Sequence, residues 1–199
     1  PRDIRYAKRF GYAIRPLAVA DRLEDGSLDL RVHPALVPVG HPLAHVEGAL
    51  NAVDIQSEMV GPTFLSGPGA GAGPTATSVA ADIIDIAKAA LSGAPVRARS
   101  ATVGDGQSIQ PVAELRSRYY LRFSVRDESG VLAKLSGALG DEGISIDQMV
   151  QDHLSGGEGT ASLALLTHEA REGDVRESLA AIDATHLTTA PTHLIRIVE

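Results

Sequence analysis

Apolar and polar positions alternate in the last third of the chain with the periods of strands and helices. Residues 119–126 alternate as a half-buried strand does, and residues 131–141 carry apolar side chains at helical spacing. The same pattern predicts the other elements of this region, which are a strand at 144–153, a hairpin loop at 155–159, a strand at 160–167, a helix at 174–182 and a strand at 192–198. The predicted order βαββαβ, over roughly 80 residues, is the ferredoxin-like plan.

The first part of the chain mixes strands with one helix at each end. Asp3 resembles a helix N-cap, with Ile4, Ala7 and Phe10 on the buried side and Gly11 closing the helix. Further elements follow, with strands at 12–20, 28–32, 49–56 and 62–66 and a helix at 76–91. Residues 33–45 contain three prolines, which donate no ladder hydrogen bond, so this segment is predicted to be irregular.

A loop with four glycines, at residues 66–75, precedes the helix at 76–91. The start of a helix collects unpaired N–H groups and the positive end of the helix dipole, which suits a phosphate or another anion. The alternative is a tight turn whose only role is to let a helix pack against a sheet.

Periodicity is lost between residues 92 and 118, where glycines and prolines interrupt every apolar pattern. We therefore predict an α+β protein with three parts: a first region at 1–91, a linker at 92–118, and a ferredoxin-like domain at 119–199. The chain opens on a proline, next to a helix cap, and we expect it to be a piece of a longer protein.

The amino-acid composition of the chain argues against several classes of function. The chain has 199 residues, a net charge of -7 and no cysteine, which argues against nucleic-acid binding, disulfides and thiolate metal sites. No apolar run reaches the roughly 18 residues of a membrane span, and no signal-peptide pattern opens the chain, so we expect a cytoplasmic protein. His41 and His45 have the spacing of two metal ligands on a helix, but Pro42 lies between them and no third ligand is evident, so no metal site is predicted.

Several motifs in series carry a resemblance to a known family. In the first region they are RVHPALVP at 31–38, HPLA at 41–44, GALNAV at 48–53, the glycine loop with its PTA at 74–76, and DIIDIA at 82–87. In the last region they are YLR at 120–122, Asp127, GVL at 130–132, ISI at 144–146, Gln151, and TH at 167–168. The first region resembles the later part of the catalytic region of bacterial homoserine dehydrogenases. The last region resembles the regulatory ACT domain that many of them carry at the C-terminus.

This resemblance implies oxidation of L-homoserine to L-aspartate 4-semialdehyde with NAD(P), in threonine and methionine biosynthesis. It places the nicotinamide nucleotide against the glycine loop, at Gly69, Ala70, Gly71 and Thr75. The G-x-G-x-x-G fingerprint after a first strand is absent, and the family's catalytic lysines match no position. No catalytic residue is therefore assigned, and we expect the 199-residue chain alone to bind no cofactor and to show no dehydrogenase activity.

The ACT resemblance implies that a small amino acid binds at the turn before the helix at 131–141, with L-threonine as feedback inhibitor. The effector-binding residues it implies are Asp127, Gly130, Val131, Leu132 and Gln151. A homodimer or higher homo-oligomer is expected, because exposed sheet edges tend to pair. The competing hypothesis is a non-catalytic amino-acid sensor, in which residues 1–91 serve as a scaffold.

Overall fold

The computed structural model describes residues 2–93, 107–152 and 159–198. The helices in these ranges are α1 (Arg2–Arg9), α2 (Ala72–Ser92), α3 (Val131–Asp141) and α4 (Glu172–Asp183). The strands are β1 (Tyr12–Arg22), β2 (Leu28–Pro38), β3 (Leu50–Ile55), β4 (Thr63–Pro68), β5 (Arg116–Arg126), β6 (Ile146–Asp152), β7 (Thr160–Thr167), β8 (Ala170–Arg171) and β9 (Thr188–Ile197). Single 3-10 turns lie at Pro42–His45 and Val112–Glu114.

The predicted ferredoxin-like plan is confirmed. Strands β5, β6, β7 and β9 stand in the sheet order β9-β5-β7-β6, and each neighbouring pair is antiparallel. Helices α3 and α4 cover one face, where alternate residues of β5 meet the helices in a buried cluster that includes Phe123, Leu135, Leu139 and Val175. Most of the predicted hairpin loop at 155–159, and His153, lie outside the described residues.

The β1–β2 hairpin continues this sheet, because β2 runs parallel to β9 at Ala35 and Leu36. The prediction that residues 33–45 are irregular was wrong for the first part of that segment, since β2 extends to Pro38. Pro34 lies opposite Pro16. Such a pair is compatible with an antiparallel ladder where neither residue has to donate an N–H.

Helix α1 covers the face of the sheet opposite α3 and α4. Tyr6 and Ala7 pack there against Leu36, Tyr120 and Leu166. Asp3 lies within the first turn of α1, so it is not the N-cap that the sequence predicted.

Asp3 fixes the start of α1 to the sheet. Its Oδ1 accepts hydrogen bonds from the Tyr120 hydroxyl (2.9 Å) and from Arg122 Nε (2.5 Å). Burial raises the pKa of the Asp3 carboxyl, but the hydrogen bonds from Arg122 and Tyr120 outweigh it and hold the pKa below its usual range. The first helix is therefore joined to the ferredoxin-like sheet by buried apolar contacts and by a charged hydrogen-bond cluster.

Contacts group residues 1–40 with 107–199 in one compact unit, and residues 41–106 in another. The predicted boundaries at 91 and 118 followed composition, whereas this grouping follows the nonlocal pairing of β2 with β9. Residues 94–106 of the predicted linker lie outside the described residues.

The second unit holds the β3–β4 hairpin and α2. The helix begins at Ala72, four residues before the predicted start, so part of the glycine loop forms its first turn. Its large apolar side chains are at least half exposed, including Val79, Ile83 and Ile86.

Candidate functional site

A pocket of about 160 Å³ opens where β5 ends and α3 begins. All five predicted effector-binding residues line it, although Gln151 is about twenty positions away from the other four along the chain. The full lining is Val125, Arg126, Asp127, Glu128, Gly130, Val131, Leu132, Gln151, Ala161 and Leu163. The antiparallel pairing of β6 with β7 places Gln151 opposite Leu163 and so brings it to this pocket.

Backbone hydrogen bonds and a left-handed glycine fix the turn from β5 into α3. Asp127 N donates to the Gly159 carbonyl at 3.0 Å, which fixes the point where β5 ends. Gly130 is the N-cap of α3 and has φ 86° and ψ -6°, a left-handed conformation that favours glycine. Val131 N donates to the Glu128 carbonyl at 3.4 Å, and the next N–H groups of α3 have no intrahelical acceptor and carry the positive end of the helix dipole. A carboxylate is suited to this end of the pocket.

The floor of the pocket is apolar. Val125, Ala161 and Leu163 are buried there and belong to the core beneath α3. A short aliphatic group would lose water against this floor, while Asp127 and the Gln151 amide supply oxygen atoms at the rim. These three floor residues were not predicted as site residues, although the strand alternation in β5 and β7 places them on the buried face.

The glycine loop forms a single exposed turn between β4 and α2. Gly69, Ala70 and Gly71 lie in it and Thr75 follows in the first turn of α2, and all four residues are exposed. Gly71 is the N-cap of α2 with φ 120° and ψ 158°, and its carbonyl accepts from Thr75 N at 3.1 Å. The structure therefore brings the four predicted cofactor-binding residues together at one helix start.

Asn51 lies against this turn, a contact that no local sequence pattern predicts. Its side-chain amide occupies the space that a Cβ at Gly69 would need. Gly69 N also donates to the Ala49 carbonyl at 2.9 Å, which extends the β3–β4 pairing into the loop. A larger residue at 69 would therefore displace the Asn51 side chain, independently of any ligand.

The backbone of this turn is accessible at Gly71. A Cβ at Gly71 would meet only Pro74 Cδ, at 3.6 Å, so the backbone there is open to close approach. The first N–H groups of α2 are unpaired by helix geometry and are suited to an anionic group.

His41 makes contacts within its own segment. Its Nδ1 accepts from Leu43 N at 3.2 Å, and its Nε2 lies 3.4 Å from Asp54 Oδ2. Across the ranges 2–93, 107–152 and 159–198, no group of three His, Cys, Asp or Glu side chains is arranged to hold a metal ion. None of the helices in these ranges has the length and apolar character needed to cross a membrane.

Comparison with known proteins identifies both regions. Residues 1–84 match the homoserine dehydrogenase family and residues 119–186 match the ACT domain family. The chain is 39% identical to a homoserine dehydrogenase of Neisseria gonorrhoeae over 98% of its length, and 36% identical to one of Pseudomonas aeruginosa over 99%. It spans 46% of the length of each of these curated relatives.

Solved structures agree with the sequence comparison. A homoserine dehydrogenase from Thiobacillus denitrificans superposes with a TM-score of 0.83 and 36% identity, covering 100% of this chain and 45% of that one. The Staphylococcus aureus homoserine dehydrogenase at pH 7.0 gives a TM-score of 0.59 at 17% identity, over 99% of this chain and 44% of that one, which shows a shared fold.

Proposed function

We propose that this chain, which belongs to the homoserine dehydrogenase family and carries an ACT domain, binds a regulatory amino acid. The enzyme that it would regulate oxidises L-homoserine to L-aspartate 4-semialdehyde. Both resemblances predicted from the sequence are confirmed. The observation that carries the regulatory proposal is the pocket before α3, where the five implied effector-binding residues meet.

The pocket suits the zwitterion of a small amino acid. The ligand carboxylate would accept from the first N–H groups of α3, which Gly130 leaves open because it has no side chain. The ammonium group would donate to Asp127 or to the Gln151 amide oxygen, and a short side chain would cover Val125 and Leu163. L-Threonine matches this description, with a methyl group for the floor and a hydroxyl for the rim, and we propose it as a feedback inhibitor.

Residues 69–75 would contribute the remaining function of this chain, which is to contact the cofactor. NAD(P), when bound, supplies the hydride acceptor for the alcohol carbon of homoserine. Gly71 would admit the cofactor to close backbone approach, and Thr75 would hold the turn through its hydrogen bond to the Gly71 carbonyl. No residue of this chain is assigned to proton transfer, so we expect the 199-residue chain alone to give no homoserine-dependent reduction of NADP.

A homodimer is the assembly that we propose for this domain. The sheet ends in β6 on one side and in β1 on the other, and of these two strands β6 is the one that carries a residue of the effector pocket. Pairing of two β6 edges would satisfy their backbone groups and would place a second subunit beside Gln151, closing the effector pocket.

Isothermal titration calorimetry with L-threonine tests the proposed effector site. We expect saturable binding to the unmodified chain and at least tenfold weaker binding to Gln151→Ala. Gln148→Ala is the matched control, because Gln148 is an exposed glutamine on the same strand and does not line the pocket. Absence of binding by the unmodified chain, or equal weakening by both substitutions, would reject the proposed effector site.

A further inference from the structure

A second pocket, of about 290 Å³, lies beside β2 and β9 and shares no lining residue with the effector pocket. Its polar lining is Asp29, Arg31 and His33 from β2 and Arg196 from β9. Leu115 and Val112 supply an apolar wall. We propose that this pocket is a second binding site for a small zwitterion, a molecule with a carboxylate and an ammonium group.

The alternation of β2 places the three polar residues on one face of the strand. Asp29, Arg31 and His33 are spaced by two, and they are all buried or half-buried, whereas Leu30 and Val32 between them are exposed. Arg31 Nη1 lies 2.6 Å from Asp29 Oδ2, so the ion pair leaves the Nε group of the guanidinium for another partner.

Three buried polar atoms in this cluster have no hydrogen-bond partner among the described residues, namely Arg31 Nε, Arg31 Nη1 and His33 Nε2. Arg31 Nη1 lies in the ion pair with Asp29, so Arg31 Nε and His33 Nε2 are the two that lack any polar partner. A buried donor or acceptor that stays unpaired costs free energy, so native proteins pair nearly all such atoms with protein, water or ligand. The two atoms therefore mark positions where the pocket receives polar groups from outside the chain.

Arg31 Nε needs a hydrogen-bond acceptor, whereas His33 Nε2 needs a donor. His33 Nδ1 lies 2.9 Å from the Pro34 carbonyl oxygen, which can only accept, so Nδ1 carries the proton and Nε2 is an acceptor. Burial lowers the pKa of His33, which keeps the ring neutral near neutral pH. Arg31 Nε is a donor with a positive charge. A carboxylate satisfies the arginine, and an ammonium group on the same molecule satisfies the histidine.

The charges around the pocket also favour a zwitterion over a simple anion. Arg196 is held by Glu172, to which its Nε donates at 2.8 Å, and Asp29 is paired with Arg31. The lining of the pocket thus carries one carboxylate, from Asp29, and two guanidinium groups, from Arg31 and Arg196. A simple anion would be repelled by Asp29, whereas a zwitterion also carries an ammonium group that Asp29 attracts.

Nuclear magnetic resonance can observe both atoms directly, through the Arg31 Nε–H signal and the His33 ring nitrogens in the labelled chain. The probes are glycine as zwitterion, acetate as carboxylate alone, and methylammonium as cation alone. We expect glycine to shift both signals with one saturation curve, acetate to shift only Arg31, and methylammonium to shift neither. His33→Gln assigns the histidine signal by removing it.

Substitutions separate this site from the effector site. Arg31→Lys keeps the positive charge but removes the Nε donor, and should weaken the response of His33 to glycine at least tenfold. Gln151→Ala should leave both shifts unchanged. The proposal is wrong if glycine moves neither signal up to its solubility limit, which would show a pocket filled by water only. It is also wrong if Gln151→Ala abolishes the shifts, because they would then arise from the effector pocket.

Discussion

Replacement of Glu172 by glutamine should test the buried charge cluster beneath α4. The Glu172 carboxylate is fully buried and accepts hydrogen bonds from the Tyr119 hydroxyl at 3.1 Å, Arg176 Nε at 2.8 Å and Arg196 Nε at 2.8 Å. Glutamine has nearly the same shape, but it carries no charge and presents an NH₂ group to donors that need an acceptor. The substitution therefore leaves the Arg196 guanidinium buried without its counter-charge.

The expected loss follows from the burial of each partner. Removing one member of a buried ion pair costs about 3–5 kcal/mol, and the Arg196 side chain is only 12% exposed. The Arg176 side chain is 61% exposed, and pairs with such exposure contribute about 0–1 kcal/mol. We therefore expect Glu172→Gln to lower the free energy of unfolding by about 3 kcal/mol.

Glu169→Gln is the matched control. Glu169 pairs with Arg116 at 2.7 Å, but the two side chains are 61% and 62% exposed, so its loss should cost less than about 1 kcal/mol. Urea denaturation followed by circular dichroism gives both values. Equal losses in the two variants would refute the reasoning from burial.

The pH dependence gives a second check on Glu172. Burial raises the pKa of its carboxyl, but the hydrogen bond and charge of Arg196, with further hydrogen bonds from Arg176 and Tyr119, outweigh it and hold the pKa below the usual range. A carboxyl whose pKa is lower in the folded state stabilises that state fully when the pH lies above its unfolded-state pKa, about 4.3 for Glu. This stabilisation is lost as the pH falls through the folded-state pKa. The difference in unfolding free energy between the unmodified chain and Glu172→Gln should be constant near pH 7 and should shrink in acid. A difference that grows in acid would contradict this sign.

Two further substitutions test packing, and urea denaturation measures both. Gly69→Ala should force the Asn51 side chain into another rotamer at a cost of about 1 kcal/mol. Gly67→Ala is the control, because a Cβ at Gly67 meets open space. The loss caused by Gly69→Ala should vanish when Asn51 is also replaced by alanine. Leu139→Ala removes a fully buried side chain and should cost about 2–5 kcal/mol, while the half-exposed Leu132 should lose far less on the same change. Equal losses at the two leucines, or no rescue at Gly69, would contradict the packing described above.

Elements with a clear local pattern could be predicted from the sequence. The bounds of α3 and β7 match the prediction, because 131–141 and 160–167 have regular apolar spacing and end at turn residues. The extension of β2 through Pro34 was missed, since local rules exclude proline from strands and only the pairing with β1 shows that this position tolerates it.

The residues of the effector pocket could be predicted from the sequence, whereas those of the second pocket could not. Four of the five effector residues lie within 127–132, and with Gln151 they match a family motif, so their positions could be predicted before the fold was known. Arg31, His33 and Arg196 meet only because β2 lies parallel to β9, a contact between positions more than 150 residues apart that no local pattern encodes.

A crystal structure of this chain grown with L-threonine would test the central claim most directly. We predict threonine in the pocket before α3, with its carboxylate on the first turn of the helix and its methyl group on Val125 and Leu163. A pocket that stays free of threonine at saturating concentration, or threonine bound only elsewhere on the chain, would contradict the claim.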